Sequence, residues 1–345
     1  MSFKKPVGLC PGDTVGIVSP SWGGPAAFPA VYERGLKTLR DWGLKIREFP
    51  SARKDAAFLR ANPRFRADDI NAAFSDPEIK AVVASIGGND SVRTLPFLDR
   101  RLIAANPKIL LGYSDTTALH MFLSLNGLVS FYGPSVMAGL SQAGSLPPAF
   151  GSHVRKMLFE PESRYAYAPY GEYSEGYPDW GAPENAGKIN PPRRSGGWRW
   201  LQGEGVVSGE LAGGCLEVLE MLKGTDFWPE KSFWKGKILF LETSEDKPPL
   251  WYVDQALRNY GMMGALDALA GLIVGRPMKY SDEEKLGLER TLQRVVAGEF
   301  GRANMPIVTD FDAGHTDPQL ILPFGVRASV DCTSKKIELA EPWLG

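Results

Sequence analysis

The segment KILLGYSDTTALH, Lys108–His120, places a serine where a short apolar strand turns into a helix. Two chemistries suit Ser114. Its oxygen could cap the helix by accepting a bond from a first-turn N–H. Alternatively, a serine on a sharp strand-to-helix corner projects its hydroxyl beyond the end of a sheet, where it can attack a carbonyl while the next amide, that of Asp115, faces the developing oxyanion. The G-x-S-x-G pattern is half met: Gly112 and Ser114 fit, and Thr116 replaces the second glycine.

A serine nucleophile needs a base, and only His120, His153 and His315 are present. His120, six residues along the same helix, would lie roughly 9 Å further along the axis, out of hydrogen-bond reach. His153, in GSHVRKMLF, reads as a solvated residue on a surface helix. His315, in the polar loop TDFDAGHTDPQ after an apolar strand, has the position that loops carrying ligands and catalysis favour; it could equally be an ordinary turn residue. A third group must orient the imidazole. Glu242 ends the apolar strand KILFLE, where an unpaired carboxylate is costly. Asp310, Asp312 and Asp317 compete for the role, while Glu245 and Asp246 read as solvated. The turn SIGGNDSVR, 85–93, brings Gly87 and Gly88, whose lack of side chains lets backbone amides approach a ligand. It is a candidate second oxyanion donor beside Asp115, or simply a tight turn.

The elements that must carry these residues alternate. Apolar strands are expected near 13–21, 44–49, 79–86, 108–112 and 128–133, with helices between them at 27–43, 64–76 and after Ser114, the rhythm of a parallel sheet covered on both faces. From about 160 the chain turns rich in Pro, Gly, Tyr and Trp and loses its periodicity, which suggests a linker or functional loop. Strand–helix alternation then resumes and ends in an antiparallel hairpin. The expected division is an N-terminal α/β domain over 1–160 with the nucleophile, an aromatic linker and substrate loop over 161–204, and a C-terminal β/α domain over 205–345 with the glutamate and histidine.

Bulk properties narrow the function classes. A formal charge of −1 from 39 basic and 40 acidic residues gives no basic field for nucleic acid or an anionic membrane. Three scattered cysteines form no CxxC pair, so neither a disulfide framework nor a zinc site is expected, and a reducing, cytoplasmic setting is. There is no Walker or G-x-G-x-x-G pattern to indicate a nucleotide cofactor.

Taken together, PGDTVGIVSPS, SIGGND, LGYSDTTAL, GELAGGCLEVLEMLKGT, FLETSED and FDAGHTDP resemble, in order and over nearly the whole chain, the LD-carboxypeptidases, and within them the microcin C immunity branch. The resemblance implies a flavodoxin-like N-terminal domain, a swivelling C-terminal β/α domain and a homodimer. It also implies a Ser114–Glu242–His315 triad without metal or cofactor, with an oxyanion hole from Gly87, Gly88 and the Asp115 amide. The implied substrate is a small peptide or an aminoacyl nucleotide; family members that trim cell-wall tetrapeptides are the alternative. The branch's aromatic segment is matched by YPDWGAPENAGKINPPRRSGGWRWLQG, in which Trp180 could stack on a nucleobase or pack over the domain seam. Rival readings of other classes are a non-catalytic anion- or nucleotide-binding protein and a carboxylate-driven glycosidase.

Overall fold

A computed structural model describes residues 3–345. The protein is mixed α/β and is organised by two sheets. In the first, the strand order is Leu322–Phe324, Ser130–Tyr132, Ile109–Gly112, Ile79–Ala84, Thr14–Val18, Lys45–Glu48. Apart from Leu322–Phe324, these strands are parallel and run 2-1-3-4-5 in chain order. In this doubly wound arrangement a crevice opens at the carboxyl ends of the first and third strands. The near-continuous apolar runs follow from burial on both faces: Ile79–Ala84 exposes only Lys80. The helix Pro29–Asp41 covers one face through Val31, Leu36 and Leu39, as its spacing predicts.

The second sheet has a parallel centre, Val206–Cys215, Ile238–Glu242, Gly271–Gly275 and Ile307–Phe311. Antiparallel strands extend it on both sides. The two sheets are tied together by chain crossing. Leu322–Phe324, far along the C-terminal part, pairs antiparallel with Ser130–Tyr132 of the first sheet. Val206–Cys215 ends against the helix that follows Ser114, with the Cys215 N–H donating to Thr117 Oγ1 at 2.9 Å. Gly214 permits this approach, since a Cβ there would lie 2.5 Å from the Thr117 side chain.

The aromatic segment is more ordered than its composition suggests. Arg199–Gln202 adds to the edge of the second sheet, and Glu172–Glu175 is the centre of a small sheet with Arg193–Arg194 and Thr316–Asp317. These strands are too short for periodicity to reveal, and they form because partners far away in sequence supply the ladder bonds.

His153, expected on a solvated surface, is instead buried. The reason is tertiary: the Ile321 N–H donates to its Nε2 at 2.7 Å, and its Nδ1 donates to the Tyr165 hydroxyl at 2.7 Å. His120 is buried behind the Ser114 corner, its Nε2 donating to the Gly112 carbonyl and its Nδ1 accepting from Ser130 Oγ, each at 2.8 Å. Burial pushes their pKa values down to about 3 for His153 and about 4 for His120. An unfolded histidine titrates near 6.5. Stability from these neutral imidazoles is therefore present above about pH 6.5 and is lost as pH falls from there towards the folded values. Buried Asp317, raised by burial to about 6, acts in the opposite direction. Urea melts at pH 7 and pH 5 isolate the histidine contribution: His153→Gln should show a smaller loss of midpoint between the two pH values than wild type. An equal loss would show that His153 does not titrate as placed.

Candidate active site

The strand Ile109–Gly112 delivers Ser114 at φ 58°, a left-handed conformation that a non-glycine residue rarely adopts. Such a residue costs on the order of 1–3 kcal/mol and persists only where its surroundings over-determine it. Here they do. The Ser114 N–H donates to the Tyr132 hydroxyl at 3.1 Å. Gly112 is needed two residues earlier because a Cβ there would come 2.8 Å from Thr116 Oγ1. Thus Thr116, the departure from the G-x-S-x-G pattern, packs over the corner rather than opening it. The Ser114 side chain makes no capping bond to the helix that follows.

The hydroxyl faces another side chain. His315 Nε2 lies 3.0 Å from Ser114 Oγ, and His315 Nδ1 lies 2.7 Å from Glu242 Oε2. Glu242, the last residue of Ile238–Glu242, is fully buried. Its other oxygen, Oε1, accepts from the Tyr132 hydroxyl at 2.5 Å. Gly314 lets the loop run close to the carboxylate, since a Cβ there would lie 2.8 Å from Glu242 Oε2. Burial raises the Glu242 pKa, while His315 and the Tyr132 hydroxyl act against that rise.

Of the competing aspartates, Asp312 and Asp317 have their carboxylates committed elsewhere. Asp312 pairs with Arg276 at 2.8 Å and accepts from Trp198 Nε1 at 2.8 Å. Asp317 accepts from the Tyr177 hydroxyl at 2.5 Å. The Asp310 carbonyl receives Arg276 Nη2 at 3.2 Å. Glu245, expected in solvent, instead brings Oε2 to 2.9 Å from His315 Nε2 although its side chain is half exposed. Burial lowers the His315 pKa, but Glu242 and then Glu245 outweigh it and push it up to about 10. The bond to His315 holds Glu245 down at about 2.

The Gly-Gly turn lies against the corner. A Cβ on Gly87 would be 3.0 Å from Ser114 Oγ and 3.5 Å from the Asp115 nitrogen, so glycine keeps the space in front of both open. The Asp115 carboxylate locks the two loops together, accepting from the Asp90 N–H at 2.8 Å and the Ser91 N–H at 2.7 Å through Oδ2. Arg66, fully buried, clamps the same turn through the Pro20 carbonyl at 2.7 Å and Asp90 Oδ2 at 3.0 Å. Sequence reasoning missed Tyr132, the Asp115 side chain and Arg66. Tyr132 in LVSFYG reads as an ordinary core aromatic, and only its two polar partners single it out.

Ser114, His315, Glu245, Gly87 and Gly88 line one side of a cleft of about 770 Å³, with Glu242, Tyr132 and Asp115 behind them. Its opposite wall is aromatic. Trp180 stacks on Tyr177 with ring centres 5.1 Å apart and meets Phe28 edge-on at 5.7 Å. Trp180 thus contacts neighbouring side chains and also borders the cleft. The charged residues of the lining besides His315 are Glu175, Asp179, Glu245 and Lys279. Among the described residues, no group of three or more His, Cys, Asp or Glu side chains could hold a metal ion, and no helix is long and apolar enough to cross a membrane.

Comparison with known proteins places this geometry in a lineage. The LD-carboxypeptidase N-terminal domain matches residues 15–133, and the LD-carboxypeptidase C-terminal domain matches residues 208–330. The microcin C7 self-immunity protein MccF of Escherichia coli is 30% identical over 97% of this chain and 95% of its own length. A probable murein peptide carboxypeptidase of Bacillus subtilis is 28% identical over 96% of this chain and 92% of its own. The solved structure of microcin C7 self-immunity protein MccF in complex with aspartyl sulfamoyl adenosine superposes with a TM-score of 0.85 at 29% identity, covering 99% of this chain and all of that one. Both halves are thus matched in order, and the chain belongs to the LD-carboxypeptidase family of serine peptidases, as a carboxypeptidase-type hydrolase.

Proposed function

We propose that the protein hydrolyses the acyl–nitrogen bond of an aminoacyl-nucleotide conjugate with Ser114, His315 and Glu242 as its triad. One observation carries the reading: a single imidazole spans the Ser114 hydroxyl and the buried Glu242 carboxylate, 3.0 Å and 2.7 Å away, beside an aromatic-walled cleft.

In the first half-reaction Ser114 Oγ attacks the acyl carbon, and its proton passes to His315 Nε2. Glu242 holds Nδ1–H and balances the imidazolium. The Asp115 and Gly88 amides receive the oxyanion of the tetrahedral adduct. His315 then gives the proton to the leaving nitrogen as the C–N bond breaks. In the second half-reaction a water loses a proton to His315 Nε2 and adds to the acyl-serine carbon, and His315 then gives that proton to Ser114 Oγ as the C–O bond breaks and the acid leaves. Tyr132 positions both partners, its hydroxyl donating to Glu242 while accepting from the backbone N–H of the nucleophile.

The aromatic wall supports a nucleoside on the leaving group. A base stacked on an aromatic ring is worth about 1–3 kcal/mol, whatever its identity, and the Trp180–Tyr177 pair presents such a surface in the same cleft as Ser114. The solved MccF complex with an aminoacyl sulfamoyl nucleoside is consistent with this choice. A wall tetrapeptide is the competing substrate, but its terminal carboxylate would enter a cleft lined by Glu175, Asp179 and Glu245 against Lys279 alone.

Three measurements test the proposal. In side-by-side assays, kcat/KM for alanyl sulfamoyl adenosine should exceed that for a muropeptide tetrapeptide by about 100-fold or more; the reverse order would move the protein to wall-peptide trimming. Ser114→Ala and His315→Ala should each lower kcat by on the order of 10⁴, with the double variant losing little more, because the groups act as a unit. Additive losses would argue against a shared mechanism, unchanged turnover would point to carboxylate chemistry of the glycosidase kind, and absence of turnover in wild type to a binding protein. Tyr132→Phe should lower kcat by about 10- to 100-fold with KM nearly constant, as expected when positioning rather than substrate binding is lost. An equal rise in KM would place Tyr132 in substrate recognition instead.

A further inference from the structure

The His315 Nε2 that must accept the serine proton has two neighbours, Ser114 Oγ at 3.0 Å and Glu245 Oε2 at 2.9 Å. A carboxylate accepts and cannot donate, so it draws a proton onto Nε2. With Nδ1–H already committed to Glu242, the imidazole facing two carboxylates is an imidazolium, and an imidazolium cannot take the serine proton. Turnover requires Glu245 to leave Nε2.

The position of Glu245 allows this. It lies in the irregular segment between Ile238–Glu242 and the helix Leu250–Met262, and its side chain is half exposed, whereas Glu242 is fully buried and held by two donors. The charged groups around the pair come from several elements. Lys279 Nζ donates to the Glu245 backbone carbonyl at 2.9 Å, leaving the carboxylate to His315. Tyr113 packs its ring 5.1 Å from the imidazole, and Asp317 follows on the His315 loop. Lys279 is the one cation among these groups, and its ammonium is bonded to the Glu245 backbone carbonyl rather than to the carboxylate.

We propose that Glu245 is a specificity residue that selects substrates whose scissile acyl group carries a free α-ammonium. The ammonium enters next to the carbonyl carbon, takes the Glu245 carboxylate from His315 Nε2, and leaves that nitrogen to Ser114. The proposal rests on the triad reading above. A substrate with an amidated or absent α-nitrogen must displace Glu245 without a replacement cation, and an anionic group at the same place meets a like charge. The elevated His315 pKa of about 10 agrees with this resting ion pair.

The test compares alanyl sulfamoyl adenosine with its N-acetyl derivative. Wild type should prefer the free amine, and in Glu245→Gln that preference should fall by about tenfold or more, as expected for loss of a close charge pair. The acid limb of kcat/KM for the N-acetyl compound should move to lower pH by about one unit or more in Glu245→Gln, because the charge that favours imidazolium is gone. Glu245→Asp, which keeps the charge, should restore part of the preference. A free-amine preference unchanged in Glu245→Gln, or an unmoved acid limb, overturns the proposal while leaving the triad intact. Failure of wild type to hydrolyse either compound would instead sink the aminoacyl-nucleotide reading, and this proposal with it.

Discussion

The structure depends on how one buried carboxylate is paid for. Glu242 has no exposed surface, and an isolated carboxylate in such a place would take up a proton rather than stay charged. It is held by donors from both parts of the chain: the Tyr132 hydroxyl from the first sheet and His315 Nδ1 from the loop after Ile307–Phe311. Separating the sheets would strip Glu242 of Tyr132, and unmaking a buried charged hydrogen bond is far more costly than the bond's net contribution. The pairing of Leu322–Phe324 with Ser130–Tyr132 serves the same end, since it adds a C-terminal strand directly beside Tyr132. The seam between the sheets is therefore held by a buried polar network as well as by strand pairing.

The strained corner at Ser114 belongs to the same network. Tyr132 accepts the Ser114 N–H with the oxygen whose proton goes to Glu242. This occupies the Ser114 amide and holds the corner against the second sheet through Glu242. The Asp115 carboxylate meanwhile fixes the Gly-Gly turn by accepting two backbone N–H hydrogen bonds, from Asp90 and Ser91. A residue chosen in sequence for its backbone thus contributes at least as much through its side chain. A left-handed serine, a tyrosine with two polar partners and a carboxylate clamping a neighbouring loop form one rigid unit, and rigidity is what pre-organised catalysis needs.

Much of this was legible in sequence for reasons of period and position. The parallel strands announce themselves as apolar runs because both faces are covered, and Ser114, Glu242 and His315 each stand where such a run ends. Residues whose roles depend on distant partners were not legible. Tyr132 differs from any core aromatic only through Glu242, 110 residues away. His153 looks like a surface residue until Ile321 arrives to donate to it. Glu245 stands in a polar loop, and nothing local separates it from Asp246 beside it. The short strands of the aromatic segment have too few residues for an alternating pattern, and their ladders are set by Thr316–Asp317 and Ile307–Phe311.

That last pairing joins the aromatic wall to the His315 loop. Thr316 follows His315 directly, and the strand Thr316–Asp317 pairs in register with Ser174 and Glu175. Asp317 then accepts from the Tyr177 hydroxyl, and Tyr177 carries Trp180 on its face. The aromatic wall is therefore built on the backbone that presents the imidazole rather than hung from a free loop. A displacement of Trp180 by a ligand would be felt at Tyr177, then at Asp317, two residues from His315. Conversely, any shift of the His315 loop needed to release Glu245 would move the wall with it. The ladder and the Tyr177–Asp317 bond leave few soft joints between them, so the aromatic wall and the His315 loop form one body facing the Ser114 corner of the first sheet.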